Sequence, residues 1–269
     1  MSLPPGIDLL KHGGHKYDHG HALVMAGGPG QGGAARLAAK AALRIGAGLV
    51  TLAPPAAAMA EHCGPPDALM RHSIDTPDQL AGLLKARKIS AIVMGPGYGV
   101  EPAIGMLPAI IAAGLPTLLD ADALTALGRV PARLRPDIVL TPHEGEFRRL
   151  FPELANSLTD DRNHRGQLAA QAARQSGAVI LLKGPDTVIA APDGKIRFNT
   201  AHDVPWLATA GSGDVLSGLI GGLLARGFPP LDAASAAAHI HAECARRFGP
   251  GLIADDLPGE IPAILRDLA

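Results

Sequence analysis

Residues 22–43 read ALVMAGGPGQGGAARLAAKAAL. The apolar run 22–26 is short enough for a strand buried on both faces. Glycines 27, 28, 30, 32 and 33 then make a loop, and an Ala-rich stretch over 33–43 starts from it as a helix with Leu37 and Ala41 on one face. Strand, glycine turn and helix in so short a span are one βα unit, the building block of an α/β fold with a mostly parallel sheet and helices on both faces.

Outward from this unit, the runs LVTLA (49–53), ISAIVM (89–94), TLLD (117–120), IVLT (138–141) and AVILLK (178–183) read as further buried strands flanked by glycine, proline or polar turns. Helices are expected over 103–113, 121–127, 145–150 and 162–176, the last with Thr159 and Asp160 as capping candidates. Runs 188–191 and 195–198 flank Pro192-Asp193-Gly194 and predict a β-hairpin. The last third predicts helices over 215–226, 232–248 and 262–268. No repeat or linker interrupts residues 21–269, which we read as a single domain, preceded by a polar, glycine-rich 1–20 segment expected to be a loose arm.

Bulk properties exclude several classes of function. A chain of 269 residues can bury about three quarters of its unfolded surface in one core. A formal net charge of -1 gives no footprint for a nucleic-acid backbone, although backbone N–H groups can still hold a small anion. No apolar segment approaches the roughly 20 residues of a membrane-spanning helix, and nothing resembles a secretory signal. Cys63 and Cys244 lie far apart, outside any C-x-x-C pair, and are expected to be buried thiols of a cytoplasmic protein. His12, His15, His19 and His21 cluster in the arm without the spacing of a zinc site.

The chemistry concentrates in loops that follow strands. In Thr209-Ala-Gly-Ser-Gly-Asp214 the glycines at 211 and 213 let backbone N–H groups turn inward ahead of an apolar helix, whose dipole adds positive potential. Asp214 would stand beside any phosphate held there, as a general base for a hydroxyl nucleophile requires, although it could also simply cap the helix. Thr141-Pro-His-Glu-Gly-Glu146 emerges at the carboxyl end of the sheet, where open α/β folds bind ligands; Glu144 and Glu146 suit a magnesium ion or a helix first turn, and His143 a substrate. Lys183 ends a strand ahead of Gly184-Pro185-Asp186-Thr187 and can pair with a nucleotide phosphate or extend to solvent. Gly95-Pro-Gly-Tyr-Gly99 lets a ligand approach bare backbone. Gly28, Gly30 and Gly33 satisfy G-x-G-x-x-G, but LVTLAPPAAA lacks the acidic residue of a dinucleotide fold, and we reject a Rossmann dehydrogenase.

Taken together, HKYDHGHALVMAGGPGQGGAARLAAKAALRIGAGLVTLA, GPGYG, LLDADAL, LTPHEGEF, LLKGPDTVIA and ATAGSGDVLSG resemble the ADP- or ATP-dependent NAD(P)H-hydrate dehydratases, a branch of the ribokinase-like superfamily, over nearly the whole chain. The resemblance implies a lyase that restores NADH or NADPH from the S-epimer of its hydrated form, phosphorylating the added hydroxyl and eliminating phosphate. It implies ADP or ATP as co-substrate, Mg2+, a homo-oligomer, and an NAD(P)H-hydrate epimerase as functional partner or N-terminal domain. Carried over by residue, Asp214 is the base; Ala34, Ala35, Gly97 or Gly99, His143 and Asp214 meet the hydrated cofactor. Lys183, Gly184, Pro185, Asp186, Thr187, Gly211, Ser212 and Gly213 hold the nucleotide, and Glu146 is the magnesium candidate. Where many members read Asn-Pro-Gly-Met-Ala-Thr-Gly-Gly, this chain has Val204-Pro-Trp-Leu-Ala-Thr-Ala-Gly. A vitamin-precursor or sugar kinase of the same fold, and a non-catalytic nucleotide sensor, are the alternatives.

Overall fold

The computed structural model describes residue 3 and residues 6–130 and 132–269. Among them, nine strands form one sheet: β1 (His21–Met25), β2 (Leu49–Ala53), β3 (Met70–Arg71), β4 (Ala91–Met94), β5 (Thr117–Leu119), β6 (Ile138–Leu140), β7 (Val179–Leu182), β8 (Asp186–Ala190) and β9 (Ile196–Thr200). Their order is β3-β2-β1-β4-β5-β6-β7-β8-β9. All neighbours from β3 to β7 are parallel, whereas β8 runs antiparallel to both β7 and β9. The chain order reverses beside β1, between the β2 and β4 sides, and this is where open α/β sheets open a crevice for ligands.

The helices are α1 (Gly32–Arg44), α2 (Pro77–Ala86), α3 (Val100–Ala112), α4 (Asp122–Arg129), α5 (Glu144–Leu150), α6 (Pro152–Ala155), α7 (Arg162–Ser176), α8 (Ser212–Ala225), α9 (Pro230–Phe248) and α10 (Leu257–Asp267). Strand alternation sends Ala22, Val24, Ala91 and Val93 into a core shared with α1, α8, α9 and α10. Leu23, Met25, Ile92 and Met94 point the other way, against α2, α3, α4 and α7. Burial on both faces explains why these strands read as continuous apolar runs. Helix α8 packs unusually close to α1, since a Cβ at Gly218 would lie 2.0 Å from the Ala38 carbonyl oxygen.

The expected elements are all present, with ends shifted by a few residues. Unread in the sequence were β3, α2, α6 and the 3-10 turns Ala56–His62 and Pro205–Leu207. The segment expected to be a loose arm has neither helix nor strand among its described residues, but it is pinned to the domain. Leu9 is 3% exposed within the core, Arg226 donates to the Leu10 carbonyl (3.2 Å), and the Gly48 N–H donates to the His19 carbonyl (2.9 Å). Of the two cysteines expected to be buried, Cys244 is buried and Cys63 is exposed. No helix among the described residues is long and apolar enough to cross a membrane.

Candidate active site

The end expected to hold phosphate is assembled by β5, β7 and the start of α8. Gly211 is the N-cap of α8 at φ +88°, a left-handed conformation natural to glycine, and a Cβ there would press within 2.8 Å of Leu37 Cδ1. No side chain caps the helix, so its positive end is left to face a ligand. The helix opens at Ser212, three residues before the start expected from the sequence, so Asp214 sits within its first turn.

Beside it, Asp120 directly follows β5 at 2% exposure and accepts two hydrogen bonds, from Lys183 Nζ (2.8 Å) and from Ser217 Oγ one turn along α8 (2.7 Å). This buried carboxylate fixes Lys183, which instead of extending to solvent lies close to Gly213: a Cβ on Gly213 would be 3.7 Å from Nζ. Asp214 is half-buried, and its pKa is pushed up to about 6, first by burial and then by the negative charges of Asp120 and Asp122, with Lys183 opposing. A carboxylate poised there takes up a proton near neutrality, as a general base for a hydroxyl must. Between Asp120 and Asp122, Ala121 adopts φ +47°, a strained value for alanine, at the turn that carries both acids. Asp122 Oδ2 in turn accepts the Gly99 N–H at 2.8 Å.

A cavity of about 430 Å³ adjoins this end. Lys183, Gly184, Pro185, Thr187, Ser212 and Gly213 line it, all of them expected nucleotide residues. Gly211 and Asp186 do not: Gly211 shapes the turn, and Asp186 accepts from Thr200 Oγ1 (2.8 Å) and His202 Nε2 (2.9 Å), bracing β8 to β9. The Val204–Ala208 stretch that departs from the family pattern supplies apolar wall through Val204, Pro205, Leu207 and Ala208. His241, not singled out in the sequence, also lines the cavity. Its Nε2 donates to the Ser212 carbonyl (2.9 Å), and burial lowers its pKa to about 4, so it stays neutral.

The residues expected to meet the hydrated cofactor divide. Ala34 approaches Gly97, whose added Cβ would lie 3.2 Å from the Ala34 Cβ, bringing the loops after β1 and β4 together. Ala35 is fully buried in the core, and the structure does not place it where a ligand could touch it. His143 is the N-cap of α5. Its Nδ1 accepts from the Gly145 N–H (2.9 Å) and the Glu146 N–H (3.4 Å), which leaves Nε2 as the donor of a largely exposed ring, 3.5 Å from Glu146 Oε1. Glu146 reciprocates by accepting the His143 N–H at 2.8 Å. The carboxylate expected to hold magnesium is thus committed to a helix cap, and Glu144 is committed to an ion pair with buried Arg165. Among the described residues, no group of three or more His, Cys, Asp or Glu is placed to hold a metal.

This sheet order and this site define a ribokinase-like fold. A ribokinase-like protein from Enterococcus faecalis superposes with a TM-score of 0.84 at 22% identity, covering 97% of this chain and 91% of that one. The chain belongs to the NAD(P)H-hydrate dehydratase family, whose model matches residues 22–261. The ADP/ATP-dependent NAD(P)H-hydrate dehydratase of Bacillus subtilis, crystallised with ATP and Mg2+, superposes with a TM-score of 0.81 at 30% identity over 97% of this chain and 94% of that one. The ADP-dependent (S)-NAD(P)H-hydrate dehydratase of Neisseria meningitidis is 38% identical over 94% of this chain and 86% of its own length. A bifunctional NAD(P)H-hydrate repair enzyme from Moorella thermoacetica is 40% identical over 95% of this chain. The chain spans about half the length of that and similar bifunctional relatives.

Proposed function

We propose that the chain catalyses ADP- or ATP-dependent dehydration of the S-epimer of hydrated NADH or NADPH. Asp214 takes the proton of the added hydroxyl as its oxygen attacks the terminal phosphorus, and AMP or ADP leaves. The ring nitrogen's lone pair then expels the new phosphate ester as inorganic phosphate, and loss of a proton from the neighbouring ring carbon restores the double bond. Phosphate is a far better leaving group than hydroxide, which is why a nucleotide is consumed. The observation that carries this reading is the carboxylate of Asp214, held at a pKa of about 6 beside Lys183 and the uncapped start of α8. Lys183 and the α8 backbone at Gly211, Ser212 and Gly213 stabilise the charge that develops on the phosphoryl oxygens.

The adenine nucleotide occupies the cavity from Lys183 to Thr187, with its terminal phosphate toward Gly213. The hydrated ring lies between Asp214, the Ala34 and Gly97 backbone and His143 Nε2. A magnesium ion fits this donor set only as a partner of the phosphates: Asp120, Glu144 and Glu146 are taken by protein groups, and Asp214 is the carboxylate left to share it. When bound, such an ion would neutralise phosphate charge. We also propose a cytoplasmic homo-oligomer working with an NAD(P)H-hydrate epimerase, as the bifunctional relatives suggest.

Hydrated NADH incubated with ADP or ATP tests the reading. Recovery of the nicotinamide absorbance, matched by inorganic phosphate, is the expected result. A stable phosphoester with no recovery of absorbance would make the chain a small-molecule kinase, and no turnover of nucleotide would make it a sensor.

A further inference from the structure

A second cavity, about 420 Å³, lies between α1 and the 3-10 turn Ala56–His62, and nothing in the reaction above uses it. Arg36 and Lys40 from α1, His62, and Arg71 from β3 line it, with Glu61 and Asp255 as its acidic members. Its charges are not mutually cancelled. Both Glu61 oxygens accept the Gly30 N–H at 2.9 Å, while Arg36 is anchored on the Glu61 carbonyl (2.8 Å) and Arg71 on the carbonyls of His62, Gly64 and Leu69. Two guanidinium groups held by neutral carbonyls keep their positive charge available to a ligand.

His62 is the unusual element. It is 1% exposed, and neither ring nitrogen has a hydrogen-bond partner. A neutral imidazole carries one N–H in either tautomer, so a buried one without an acceptor is a donor awaiting a ligand. The ring is seated against the first turn of α1, where a Cβ at Gly32 would lie 2.6 Å from its Cε1. That turn has no side-chain cap and no acidic residue, and Gly33 within it also lines the cavity. An uncapped helix start, a buried donor and three cations converge on one space.

We infer that this cavity is a phosphate subsite, taking a phosphate of the dinucleotide substrate remote from the reacting ring. The inference rests on the substrate class proposed above. Position supports it: Leu37 lines this cavity and also packs against Gly211 at the phosphate end, so the two sites flank one side chain of α1. A dinucleotide with its hydrated ring at Asp214 reaches the cavity by running along the start of α1. The bridging diphosphate and the 2′-phosphate of the NADPH form present the same chemistry, and experiment separates them.

The test uses Lys40→Gln, a surface change that leaves the core untouched, and His62→Leu as a second variant. With ADP saturating, the Michaelis constant should rise several-fold in Lys40→Gln at unchanged kcat. A rise for hydrated NADH and hydrated NADPH alike assigns the diphosphate, and a rise for hydrated NADPH alone assigns the 2′-phosphate. Unchanged Michaelis constants for both substrates in both variants would overturn the subsite. If the wild-type chain turns over neither substrate, the activity reading fails and calorimetry decides the subsite separately. NADP+ titrated into the ADP-saturated chain should then bind several-fold more weakly to Lys40→Gln, and equal binding or none overturns the inference.

Discussion

Two loops at the carboxyl edge of the sheet carry acidic side chains of similar promise and use them in opposite ways. After β6, His143 and Glu146 exchange hydrogen bonds with each other's backbone N–H groups, and Glu144 is absorbed by Arg165. These groups are locally satisfied, and what remains for a ligand is one imidazole N–H. At the start of α8, Asp214 is left to the field of Asp120 and Asp122, with only Lys183 in opposition, and its pKa rises. A carboxylate becomes reactive where its partners are withheld, and a polar loop with its partners supplied becomes a place for recognition. On the proposed reading, chemistry belongs to the α8 end and recognition to the β6 end.

The largest effect that can break this division is at Asp214. Asp214→Asn should lower turnover at least ~100-fold, the scale of a lost general base, while ADP affinity by calorimetry stays within a few-fold. Its stability should move the other way. The folded pKa of about 6 lies above the ordinary 3.8, so the wild-type protein loses stability as pH rises through that window. Asp214→Asn should therefore melt higher than wild type above about pH 6 and differ little below about pH 4.

Next in size is Gly213→Val, expected to weaken ADP binding at least ~10-fold, because its side chain would enter the nucleotide cavity toward Lys183. Gly213 does not share the positive φ of Gly211, so the loss would come from filled space rather than from backbone strain, and the melting temperature should hold. Asp120→Asn releases Lys183 and removes a negative neighbour of Asp214. It should cost about tenfold in turnover, the order of one charge-assisted hydrogen bond, and should move the acidic limb of the pH profile to lower pH. The smallest effect falls at the recognition end: His143→Ala should raise the Michaelis constant for hydrated NADH several-fold, about 1 to 2 kcal/mol, with ADP affinity unchanged. Loss of ADP affinity in that variant would reverse the roles of the two loops.

Much of this was legible from residue order because its signals are local. Apolar runs ended by glycine turns marked the strands, and G-S-G-D before an apolar helix marked the phosphate end. Asp120 was not legible as a site residue: its partners Lys183 and Ser217 lie 63 and 97 residues away, and nothing in TLLD distinguishes a buried anchor from a strand-end turn. The reciprocal cap of α5 had a readable cue in His143-x-x-Glu146, the spacing of a capping box, but the same residues also suit a metal. Thr76-x-x-Gln79 was an equally local cue for α2 and went unread, while the two-residue β3 is too short for any periodicity to announce it.

The pH dependence of kcat/KM, which reports groups of the free enzyme, tests the central claim most directly. With Asp214 as the base at a pKa of about 6, kcat/KM should be level above that value and fall about tenfold per unit below it. In Asp214→Asn that limb should disappear together with the turnover. A wild-type kcat/KM that stays level well below pH 6, or an Asp214→Asn variant that keeps both its rate and the wild-type profile, would contradict the account.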